Sequence, residues 1–279
     1  MSTTIFYERN RRIMKSVKTM DNKSLLSHAY NASLYLSFRE DLFIFGYILQ
    51  ALEELDDSIT SENINNLMAS IHLLLLSGYH TYNLPMFYNK DHDEVTQKET
   101  LHRYCNESIA ELIIIILSQN SIKRLLKCDI GNKSKIDLIR EFTQYNNYRK
   151  INESKTRKEV LNSKIKEEMY RIFRLCFLGY EIMKGVKSDR RLIDEIDELS
   201  KYFSELYILT YTDLHPPCDT VQSCSQQEDK FVENKNGAME ILLKRNYFNR
   251  SFQNILQFIE RQFLCKIRDN MRRNTRGMI

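Results

Sequence analysis

Apolar residues recur at every third or fourth position over most of this 279-residue chain, the period of a helix that buries one face. Ser24 to Leu55 carries Leu34, Leu36, Phe38, Leu42, Ile44, Tyr47, Ile48 and Leu52 at that spacing and predicts a helix stopped by Asp56-Asp57-Ser58. Thr60-Ser61-Glu62 then offers a capping start for a helix over Ile64 to Ser77. Gly78 to Gln97 is polar, holds Pro85 and predicts a loop. Lys98 to Leu126 returns to the helical pattern, and the isoleucine run after Glu111 predicts a helix buried nearly all round. After a connection at Cys128 to Lys133, helices are predicted over Ile136 to Tyr148, Arg157 to Lys184 and Asp189 to Thr212. Gly185-Val186-Lys187-Ser188 separates the last two, His215 to Lys235 reads as polar and mobile, and Ala238 to Arg245 and Ser251 to Arg273 close the chain.

With 7 Gly and 3 Pro the chain has few turn-makers, which favours long helices over a sheet. No fixed-period repeat appears, and no linker long enough to separate domains. The expectation is an all-α fold, one bundle of about ten helices over residues 21 to 279 behind an extension at 1 to 20.

Charge and cysteine usage narrow the function classes. Lys and Arg number 41 against 37 Asp and Glu, interleaved along the chain, which is the pattern of solvated helix faces and gives no nucleic-acid footprint. Six scattered cysteines, with no Cys-x-x-Cys pair, read as reduced, mostly buried thiols of a cytoplasmic protein. The first residues hold no apolar stretch of secretory length. The runs Leu73 to Leu76 and Leu112 to Leu117 fall far short of the roughly 20 apolar residues a membrane-spanning helix needs.

Few residues suggest chemistry by themselves. Asp56-Asp57 at a helix break reads as capping, and Asp91-His92-Asp93-Glu94 as solvated loop. His215, Cys218 and Cys224 lack a fourth ligand at zinc-site spacing. The basic carboxyl end, Lys266, Arg268, Arg272, Arg273 and Arg276, reads as cations complementing a helix dipole.

Order and spacing carry more. Lys166 to Gly185, a short polar gap, and Leu192 to Leu214 resemble the paired helices of the trans-isoprenyl diphosphate synthases, the farnesyl and geranylgeranyl diphosphate synthase superfamily. In that family a Leu-x-x-Lys-Thr helix precedes one ending in Phe-Gln-x-x-Asp-Asp-x-x-Asp. Ser24 to Arg39 resembles the region ending in Gly-Lys-x-x-Arg, Leu67 to Gly78 the helix entering the first aspartate-rich motif, and His102 to Leu112 the helix behind it. The resemblance spans roughly residues 20 to 250 and implies a helical bundle around a central cavity. It implies weak substrate-binding matches at Arg39, His102 and Lys230, a remnant metal ligand at Asp213, and Mg²⁺ if any activity remains.

The departures shape the expected function. The first motif falls on Ser77-Gly78-Tyr79-His80-Thr81, with no carboxylate to share Mg²⁺, and its paired arginines fall near Met86-Phe87. The second falls on Leu209-Thr210-Tyr211-Thr212-Asp213 and keeps only the last acid; the Lys-Thr pair falls on Glu168-Met169. The resemblance therefore implies a catalytically impaired synthase-like protein of isoprenoid biosynthesis, with no confident catalytic residue. It would act as a non-catalytic or regulatory subunit, dimerising with itself or with an active prenyl diphosphate synthase. Phe38, Phe43, Phe45, Phe173, Phe177, Tyr202 and Phe203 predict core, and by resemblance an apolar cavity able to hold a prenyl ligand. An active enzyme with relocated metal ligands and an unrelated helical interaction protein are the alternatives.

Overall fold

A computed structural model describes residues 25–36, 44–84, 91–92, 99–151, 157–186, 189–212 and 221–276. The described residues hold ten helices and one isolated antiparallel bridge, His92 to Glu99. The helices are α1 (Leu25–Leu36), α2 (Ile44–Glu53), α3 (Ser61–Asn83), α4 (Leu101–Cys105), α5 (Glu107–Leu126), α6 (Asn132–Ile151), α7 (Arg157–Met183), α8 (Arg190–Tyr211), α9 (Val221–Lys244) and α10 (Arg250–Arg276). The all-α expectation holds. Backbone contacts gather into two units, residues 1–53 with 58–139 and residues 54–57 with 140–279.

In the first unit α3 and α5 form the main packed pair. Ala69, Leu73 and Leu76 of α3 meet Ala110, Ile113 and Leu117 of α5, with Tyr30 and Leu34 of α1 completing the cluster. The spacing of three and four puts each set on one helical face. Across the seam the Ser70 hydroxyl donates to the Ser121 carbonyl at 2.7 Å. Thr60 caps α3 by accepting from the Asn63 amide at 3.3 Å, as its position before Ser61-Glu62 predicts. Asn63 in turn clasps the turn after α5: its Nδ2 donates to the Asp129 carbonyl at 3.1 Å and its Oδ1 accepts from the Asp129 amide at 2.7 Å. Asn63→Ala removes both bonds from a buried site, and we expect a loss of about 2 kcal/mol in unfolding free energy, read from denaturant melts.

In the second unit, aromatic rings stack along α7, α8, α9 and α10. Phe173 and Phe177 both lie 5.5 Å from Phe203, and Phe231 of α9 stacks on Phe263 of α10 at 4.3 Å. Charge is threaded through the same helices. Arg174 of α7 reaches Glu141 of α6 and, at 2.7 Å, Asp197 of α8. α7 ends on Gly185 at φ +73, where the Val186 amide reaches back to the Glu181 carbonyl and the Gly185 amide to Ile182. That paired closure needs the left-handed residue that glycine supplies. Asp189 then caps α8 by accepting from the Leu192 amide at 2.8 Å.

Several expectations change. α3 runs to Asn83, so the stretch from Gly78, expected to be loop, opens with about another turn and a half of helix. The Lys98 to Leu126 helix is broken at Asn106, which takes φ +76 and whose side chain caps α5 by accepting from the Ile109 amide at 3.0 Å. Of the 215–235 stretch, expected to be mobile, residues 221–235 form more than the first half of α9: Phe231 and Cys224 are buried and anchor it. The isoleucine helix is not buried all round, since Leu112 and Ile115 are about half exposed. Asp56, at the break after α2, pairs with Lys184 at 2.9 Å. Tyr202, expected in the core, is only partly buried; its ring lies over Gly237 and its hydroxyl donates to Glu198 at 3.1 Å.

Candidate functional site

The positions that the sequence singles out as a site are the last turns of α3 and α8 and the start of the packed stretch of α7. On α3, Ser77 and His80 are both buried within the first unit. The Ser77 hydroxyl donates to the Ile114 carbonyl at 3.3 Å, and His80 Nε2 lies 3.0 Å from the Ser33 carbonyl. Burial holds the His80 and His72 imidazoles down at about 4, so both are neutral at pH 7. These side chains join helices to one another and present no oxygen cluster to a cation. The helix end itself lies at Asn83 and Leu84, beyond the stretch that the sequence assigns to the motif.

On α7, Glu168 is buried and accepts a hydrogen bond from the Tyr145 hydroxyl of α6, while Met169 beside it belongs to the core. A carboxylate fixed in this way repels an anion and is itself satisfied. Two residues earlier on the same helix, Lys166 converges with Lys230 of α9 on Glu205 of α8. Burial pushes the Glu205 carboxyl up, but the two ammonium groups outweigh it and hold the group below the usual carboxylate range. Lys230, one of the sequence matches to a substrate contact, thus spends its charge on Glu205.

At the end of α8, Leu209, Thr210, Tyr211 and Thr212 supply no carboxylate, and the cation there comes from the protein. Lys266 of α10 donates to the Leu209 carbonyl at 3.0 Å and to the Thr212 carbonyl. The carbonyl end of α8 is the negative end of its dipole, so an ammonium there is stabilised as a metal would be. Lys266, expected to complement the dipole of its own helix, thus serves another. Nothing local signals the contact, because the partners lie 57 and 54 residues away.

Of the other sequence candidates, His102 is buried with Nδ1 3.2 Å from the Thr100 hydroxyl and Nε2 without a hydrogen-bond partner. Burial lowers its pKa. Asp91 pairs with Arg103 at 2.5 Å. Burial pushes the Cys128 thiol up to about 11 and Cys176 further, which keeps both inert. Arg39, Asp213, His215 and Cys218 lie outside the described residues. Among the described residues no three His, Cys, Asp or Glu side chains gather as a metal site. Mg²⁺ asks for an octahedron of oxygens, carboxylates foremost, and the described ends of α3 and α8 do not fit it. A separate polar cleft of about 200 Å³ opens in the second unit between α6, α7 and α8, lined by Gln144, Tyr145, Tyr170, Arg171 and Arg174. Its charges are paired among themselves, Arg171 with Glu167 and Arg174 with Glu141 and Asp197.

No protein-family model matches the sequence, and no curated protein matches it either. Solved structures do. The chain is similar to a geranyltransferase of Legionella pneumophila, at 12% identity over 93% of this chain and 96% of that one, with a TM-score of 0.69. The fold is that of the trans-isoprenyl diphosphate synthases. A Helicobacter pylori geranyltransferase, described as complexed with magnesium and isoprenyl diphosphate, matches 94% of this chain and 99% of its own at 13% identity and a TM-score of 0.68. A farnesyl/geranylfarnesyl diphosphate synthase of Zymomonas mobilis follows at 10% identity, 92% and 95% coverage and a TM-score of 0.65. The synthase fold, anticipated from helix order and spacing, is thus present at 10 to 13% sequence identity. Within it the ends of α3 and α8 and the start of α7 are taken up by the chain's own side chains.

Proposed function

We propose that this chain is a non-catalytic subunit with the synthase fold that pairs with an active prenyl diphosphate synthase. The observation that carries the reading is the outer face of α5. Leu112, Ile115 and Leu126 are about half exposed, and with Gln119 and the half-buried Ile122 they form a row at spacings of three and four. Such a row, along most of the helix, calls for a cover, and Ile115 and Leu112 are residues a partner helix would bury.

Loss of catalysis is supported by the buried Glu168 and the Lys266 ammonium, which stand where the resemblance calls for phosphate-binding and metal-binding groups. The neighbours named above are geranyltransferases and a prenyl diphosphate synthase, which supports a partner of that class, and a bound, unconverted prenyl chain belongs to the same reading. No helix among the described residues is long and apolar enough to cross a membrane.

Co-expression with an active geranyltransferase, followed by affinity capture and light scattering, tests this. A stable heteromer is expected, weakened at least tenfold, or about 1.4 kcal/mol, by Leu112→Glu with Ile115→Glu. A chain that stays monomeric beside such synthases, or that by itself releases diphosphate from a prenyl substrate with Mg²⁺, would sink the proposal.

A further inference from the structure

We infer that the outward row of α10 docks this protein on an anionic lipid surface. The positive charge of the chain is not spread evenly. Residues 250–276 hold seven Lys and Arg against two Asp and Glu, a net charge of +5 in 27 residues, whereas the whole chain carries +4. All the other residues together are therefore slightly acidic, and the excess of positive charge lies in one helix. The dipole of α10 does not account for this, because a helix attracts cations only within its last turn, and Arg250 and Arg261 stand at its start and near its middle.

Packing fixes which way that charge points. Phe252, Ile255, Ile259, Phe263 and Ile267 are buried along one face of α10, with Phe252 stacked on Phe177 at 6.3 Å and Phe263 on Phe231 at 4.3 Å, so the helix cannot roll. On the opposite side Arg250, Arg261, Leu264, Arg268 and Met271, with Gln253 and Gln257 between them, recur at spacings of three and four and are all exposed. The row holds no carboxylate: Asp269 is exposed beside it, and Glu260 pairs with Lys235. Among the described residues Arg250, Arg261 and Arg268 enter no ion pair. Three guanidinium groups thus stand along about 30 Å of helix without a protein counter-charge.

A lipid headgroup layer fits this row better than a nucleic acid does. The row offers no aromatic ring on which a base could stack, and it sets two large aliphatic side chains, Leu264 and Met271, among its cations. At a bilayer surface the guanidinium groups meet anionic headgroups while the aliphatic tips reach the acyl boundary. The buried face of α10 stays in the bundle, so attachment is peripheral, screened by salt and independent of any unfolding.

Flotation of the full chain with vesicles tests this. Phosphatidylcholine vesicles with about one-third phosphatidylserine should bind the protein about tenfold or more tighter than phosphatidylcholine alone, and added salt should release it. Arg250→Gln with Arg261→Gln and Arg268→Gln should weaken that binding by about tenfold or more, since each cation near such a surface contributes about fivefold. Lys123→Gln with Lys127→Gln and Lys133→Gln removes the same charge from exposed positions off α10 and should change binding by less than about twofold. Circular dichroism verifies that both triple variants are folded. Equal binding to the two kinds of vesicle overturns the inference, as do equal losses in the two triple variants, or tighter binding to a single-stranded RNA than to the anionic vesicles. The assay uses this chain alone, so its outcome stands apart from the capture of a synthase.

Discussion

Acidifying the protein from pH 7 to about 4 should cost the unit containing α3 several kcal/mol, a larger loss than any surface substitution produces. His72 and His80 are both buried on α3, and desolvation lowers each from 6.5 to about 4. The folded state therefore keeps them neutral while the unfolded chain takes up protons below about 6.5, so unfolding is favoured as the pH falls. The stabilisation is complete above the unfolded value and is lost progressively between about 6.5 and 4, at about 3 kcal/mol for each imidazole. Urea melts followed across that window should show the midpoint falling with pH. Replacing both histidines with Gln should flatten the curve between pH 6.5 and 4, and an unchanged slope would show that other groups dominate.

The second large effect belongs to Arg174. Its guanidinium is mostly buried and bridges Glu141 and Asp197, and Tyr170 lines the same cleft with its hydroxyl pushed up to about 12 by burial first and by Asp197 next. Arg174→Met keeps much of the apolar stem but strands two carboxylates, and the expected loss is about 3 kcal/mol in unfolding free energy. The penalty comes from the unpaired acids, so adding Glu141→Gln and Asp197→Asn to Arg174→Met should recover most of it. Equal losses in the single and triple variants would place the effect in packing.

Much of the fold was legible because its signals are local. Apolar spacing marked the helices, Thr60 announced its cap, and Gly185 stands where a left-handed residue closes α7. Composition misled where packing overrode it: the polar stretch is helical over 221–235, where Phe231 meets Phe263, a ring 32 positions away that no local window contains. The isoleucine run of α5 misled in the opposite sense, since an all-apolar helix reads as fully buried and gives no sign of which face a monomer leaves uncovered. At the candidate site the missing carboxylates were visible as letters, whereas what replaced them was not. Glu168 meets Tyr145 across 23 residues and Lys266 meets Thr212 across 54, and the pattern along a chain does not encode such pairings.

The clasp between Lys266 and the end of α8 also decides where the chain can be cut. The basic carboxyl end reads as cations complementing the dipole of their own helix, yet its first lysine also joins the end of a helix more than fifty residues upstream. A chain truncated before residue 266 would leave the Leu209 and Thr212 carbonyls facing solvent or each other, and the loss would appear in α8 and not at the cut. A truncation that keeps the clasp must therefore fall inside α10, past Lys266, at a place no break in the apolar pattern marks.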